Sequence, residues 1–111
     1  GGEVMKVCIV TEYIEESDTI VSAKGNSKYA FYEDVVKAAG GKSVDIDEEP
    51  YAIICLDEET EAKFYAITTL NKIPAVKRGK IDTINRALFD IRGPRCTLAI
   101  YSVAQLLGIS V

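Results

Sequence analysis

Residues 92 to 96, Arg-Gly-Pro-Arg-Cys, place two guanidinium groups around a Gly-Pro pair and lead straight into a thiol. With Gly93 as a helix cap and Pro94 as the first helical residue, Cys96 falls in the first turn. There, free backbone N–H groups and the flanking Arg92 and Arg95 lower a thiol pKa, as in a nucleophilic or redox-sensing cysteine. Helical phase opposes that use, because Cys96 shares a stripe with Ile100 and Val103 that turns toward a core. Arg92 and Arg95 beside a helix start still form a place for an anion, whether or not the thiol reacts.

A second anion candidate is Lys24-Gly25-Asn26-Ser27-Lys28. A glycine-containing loop opens a helix here, so backbone N–H groups and two ammonium groups face one point, suited to a phosphate or carboxylate. The spacing is neither that of a P-loop nor that of a dinucleotide fingerprint. The acidic run Asp45, Asp47, Glu48 and Glu49 lacks the alternating oxygen ligands and turn glycine of a calcium loop, and reads as a solvated acidic edge rather than a metal site. No pattern implies a cofactor.

The chain has no histidine, which removes the commonest general base and metal ligand and every Ser-His or Cys-His nucleophile pair. Acid–base chemistry would fall to carboxylates, lysine, arginine and tyrosine. Glu12 or Asp57 could serve as a general base, with Lys77, Arg78 or Tyr13 stabilising an oxyanion, in lyase or isomerase chemistry on a phosphorylated or carboxylated metabolite.

These groups acquire positions only through the elements that carry them. At 111 residues, 48% hydrophobic and 27% charged, the chain fits one compact domain over residues 1–111. Roughly two thirds of its unfolded surface can be buried at that length, so no metal or disulfide is required. A net charge of -4 excludes the clustered basic footprint of a nucleic-acid binder. No apolar run approaches the roughly 18 residues of a membrane span. Three dispersed cysteines without a C-x-x-C pair read as a reducing, cytoplasmic setting.

Residues 4–10 and 51–56 are apolar runs rich in β-branched residues, expected as strands covered on both faces. Residues 18–23, 42–46 and 73–78 read as further strands, Pro74 holding the last to an edge. A helix is expected from about 27 to 39, with Tyr32, Val35, Val36 and Ala39 inward and Gly40-Gly41 as its stop. Asp57 caps another, with Ala62, Tyr65, Ala66 and Leu70 inward. Two consecutive helices close the chain: one from Asp82 with Ile84, Ala87, Leu88 and Ile91 as its stripe, and one over 94–107.

This order predicts an α/β domain, a small three-layer sandwich on a mostly parallel sheet of four or five strands. The alternative is a two-layer α+β fold, with 18–23 folding back on the first strand and 42–46 on the strand at 51–56. Ligands of open α/β sheets bind beyond the strands' carboxyl ends, expected here at Thr11, Glu12 and Tyr13, at Asp57 and Glu58, and at Lys77 and Arg78. The primary functional expectation is a non-catalytic module, homo-oligomeric through its apolar last helix, that binds a small anionic ligand or a protein partner. The enzyme described above is the alternative.

Overall fold

The computed structural model describes residues 4–90 and 96–109, with only the backbone at 96 and 97. Strand β1 (Met5–Ile14) is the spine of a five-stranded sheet. Its central residues Val7, Cys8, Ile9 and Val10 are wholly inaccessible, as an uninterrupted apolar run requires. On one side β1 pairs in parallel with β4 (Ala52–Cys55), which pairs in parallel with β5 (Ile81–Thr83). On the other side two short strands share its length. β2 (Thr19–Ser22) runs antiparallel along the carboxyl half, and β3 (Gly41–Ser43) runs parallel along the amino half.

The two faces sort by alternation along the strands. Val7, Ile9, Ala52 and Ile54 pack beneath α1 (Ala30–Ala38), α5 (Arg86–Asp90) and α6 (Cys96–Leu107), against Tyr32, Val36, Phe89 and Val103. Cys8, Val10, Ile53 and Cys55 pack against Phe64, Leu70 and Val76 of α2 (Glu58–Ala66), α3 (Thr68–Asn71) and α4 (Pro74–Lys77). Helices on both faces make this the three-layer α/β sandwich and set aside the two-layer alternative. Residues 18–23 do fold back on β1, but β3 joins β1 in parallel rather than β4.

Three expected elements are corrected. Residues 73–78 hold the helix α4, not a strand, because Pro74 occupies the first helical position, where its missing N–H costs nothing. The sheet's last strand is instead Ile81–Thr83, and Ile84 extends it by donating to Cys55 C=O at 2.9 Å. The next helix therefore starts at Arg86 rather than Asp82, so Phe89 is fully buried and Ala87 exposed. In α2 the buried residues are Thr60 and Phe64, while Tyr65 is 51% exposed. Extended backbone at Ile67 resets the phase, so Leu70 belongs to the separate turn of α3. Residues 91–95, including the Gly-Pro break, lie outside the described residues.

Candidate functional site

The chain leaves the carboxyl end of β1 toward β2, α1 and β3, and leaves that of β4 toward α2, α3, α4 and β5 on the opposite side. The connections diverge between β1 and β4, and the carboxyl edge of the sheet at such a point is where folds of this kind hold their ligands.

Arg86, half-buried at the first turn of α5, fills that edge. Its Nη2 donates to the Thr11 carbonyl, just past the part of β1 that pairs with β4 (3.0 Å), and its Nη1 to the Tyr29 hydroxyl before α1 (3.1 Å). One guanidinium thus ties α5, β1 and the start of α1 together. Two of its five N–H groups are used, both on neutral acceptors, and no carboxylate lies within ion-pairing distance among the described residues. The Tyr29 ring has the Lys28 ammonium 5.7 Å from its centroid and the Arg86 guanidinium at 5.8 Å. Its hydroxyl accepts from Arg86 and donates to no described residue. Guanidinium, ammonium and phenol therefore converge around one ring.

An aromatic stack supports the ring from below. Tyr29 meets Tyr32 edge-on at 5.1 Å, and Tyr32 lies parallel to the fully buried Phe89 at 4.4 Å. The Tyr32 hydroxyl donates to Asp90 at 2.9 Å. Burial, with that carboxylate second, pushes the Tyr32 phenol up to about 12.

The first turn of α2 follows the carboxyl end of β4. The Asp57 carboxylate accepts the Thr60 N–H at 2.7 Å as the helix cap, and that bond holds its pKa below the ordinary carboxylate value. Thr83, at the end of β5, donates its hydroxyl to Glu61 at 2.7 Å and fixes this turn to the sheet.

The residues expected at the strand ends divide. Glu12 is exposed on β1 and Asp57 follows β4, both at the carboxyl edge. The Tyr13 hydroxyl donates to Asp18 in the hairpin turn, and that carboxylate raises its pKa. Lys77 and Arg78 do not join them: they end α4 ahead of β5, at the amino edge, with the length of β4 between them and Asp57. Arg78 there donates to the Tyr51 carbonyl at 3.2 Å and lies over the Tyr51 ring at 5.2 Å. In the 24–28 loop, Lys24 pairs with Glu48 at 2.6 Å, Gly25 N–H donates to Glu33, and Asn26 caps Lys28 N–H while Ser27 begins a 3-10 turn. Arg92 and Arg95 lie outside the described residues. Asp45, Asp47 and Glu48 cluster, but Asp45 accepts from Ser22 and Glu48 is held by Lys24.

Sequence reasoning missed Arg86, Tyr29 and Thr83. Their signal was an arginine two residues past an Ile-Asp-Thr-Ile run. It is visible only once that run is read as a strand.

No family model matches the sequence, and no curated protein matches it. Among solved structures, a periplasmic binding protein from Veillonella parvula DSM 2008 superposes with a TM-score of 0.70 over 97% of this chain at 20% identity. The likeness is one of fold, and this chain spans 44% of that protein's chain. No described helix is long and apolar enough to cross a membrane.

Proposed function

We propose that this domain binds a small ligand at the carboxyl edge of its sheet and holds an anionic group of that ligand with Arg86, Tyr29 and Lys28. The observation that carries the reading is the Arg86 guanidinium: half-buried at the strand crossover, fixed by two neutral acceptors, and without a carboxylate partner among the described residues. A fixed, partly desolvated cation with spare N–H donors suits a carboxylate or phosphate, which accepts in the same planar fork. The likeness to a binding protein supports a binding role over a catalytic one. The lyase or isomerase alternative loses Lys77 and Arg78 to the far edge of the sheet and is carried no further.

The test is isothermal titration with inorganic phosphate and a series of mono-, di- and tricarboxylates. Saturable binding that Arg86→Gln abolishes is the expected result, and absence of binding across the series contradicts the proposal. A homo-oligomer is part of the reading through α6, where Leu98 and Tyr101 stand 54% and 52% exposed. The cytoplasmic setting rests on the free thiols of Cys8 and Cys55 alone, and a periplasmic one leaves the site reading intact.

A further inference from the structure

A cavity of about 750 Å³ lies away from this site, between α1 and the outer edge of β3. Val4, Gly25, Asp34, Lys37, Lys42 and Ser43 are among its lining residues. The register fixes which backbone groups face it. Val44 N–H donates to Val7 C=O, so the even-numbered residues of β3 point to β1 and the N–H and C=O of Gly41 and Ser43 point outward. β3 pairs with no second strand, and none of these four groups has a partner among the described residues. Gly41 is buried, and the hidden Ser43 hydroxyl is also unpartnered. Unpaired N–H and C=O groups along an edge strand form a template on which another extended chain can pair.

The geometry points to β3 as a docking edge for an extended peptide segment of a partner protein, with an acidic side chain opposite Lys42. Only an extended backbone presents alternating donors and acceptors at the repeat of Gly41 and Ser43, and the groove beside α1 gives it room. Charge selects its chemistry. Lys24 is paired with Glu48, Glu33 and Asp34 lie on the α1 side of the groove with Lys37, and Lys42, on the strand itself, has no ion pair among the described residues. A second copy of this chain fits poorly, because two-fold pairing through residues 41 and 43 sets Lys42 directly against its own counterpart, and like charges opposed across strands destabilise.

Amide hydrogen exchange on the full chain tests this, with the capped pentapeptides Thr-Glu-Val-Glu-Thr and Thr-Lys-Val-Lys-Thr as probes. At saturation the acidic peptide should slow exchange at Gly41 and Ser43 by about tenfold or more, as new hydrogen bonds do, and leave Lys42, already in the ladder, unchanged. Lys42→Glu, checked for an unaltered melting temperature, should reverse the preference. No protection by either peptide, or equal protection by both, overturns the proposal. So does protection that rises with protein concentration alone, which would assign the edge to a second copy.

Discussion

Arg86 joins three elements through two hydrogen bonds, and that clamp can be measured apart from any ligand. Arg86→Met keeps much of the apolar stem and removes both bonds. A hydrogen bond to a charged group contributes about 1.5–3 kcal/mol when buried. Arg86 is only half-buried, so about 1 kcal/mol per bond is the appropriate figure, or about 2 kcal/mol for the pair. In a domain of this size that lowers the melting temperature by about 8 °C. Tyr29→Phe keeps the ring beneath the guanidinium and removes only the bond to Nη1, at about 1 kcal/mol. Because the two variants share that bond, the double mutant should fall about 1 kcal/mol short of additivity. Urea denaturation of the four proteins closes the cycle. Strict additivity would refute the Tyr29–Arg86 bond, and an Arg86→Met protein as stable as wild type would refute the clamp.

Other expectations follow from the same contacts. Phe89→Ala should cost about 3–5 kcal/mol by removing a fully buried ring stacked on Tyr32, read as a lowered denaturation midpoint. Asp57→Ala should cost about 1 kcal/mol by uncapping α2. Asp57 titrates lower folded than unfolded, so its contribution is present above the ordinary carboxylate pKa and lost as pH falls through the depressed value. On the alkaline side the sign reverses. Burial raises the Cys8 thiol from 9.0 to about 12, so its contribution is intact below pH 9 and lost between there and 12, with Tyr32 adding to the loss above pH 10. Cys8→Ala should flatten the first part of that decline in a pH series of denaturation midpoints. Light scattering should show a homo-oligomer that Leu98→Glu with Tyr101→Glu disperses.

The central strands and α1 were legible because their signals are local and redundant. Residues 4–10 and 51–56 are apolar on both faces, and Tyr32, Val35, Val36 and Ala39 mark a single helical stripe. The stretch from 73 to 90 was not. Ile-Pro-Ala-Val and Ile-Asp-Thr-Ile are equally short, the first the more apolar, yet Pro74 starts a helix in the first and the alternating second reaches the sheet. That ambiguity carried Lys77 and Arg78 to the wrong edge and hid Arg86, whose role depends on β5 delivering it beside Thr11 and Tyr29. Lys28 was singled out as part of a loop of backbone donors. It stands instead over the Tyr29 ring, a contact between chain neighbours that gains meaning only from Arg86 on the same ring.

The most direct test of the account is calorimetric titration of the wild-type domain and Arg86→Gln with the tightest-binding anion of the carboxylate and phosphate series. Arg86→Gln keeps a planar donor but removes the charge. Saturable binding by the wild type and an at least tenfold larger dissociation constant in the variant, about 1.4 kcal/mol, are the expected results. Equal affinity in the two proteins would place the anion elsewhere and contradict the assignment of Arg86.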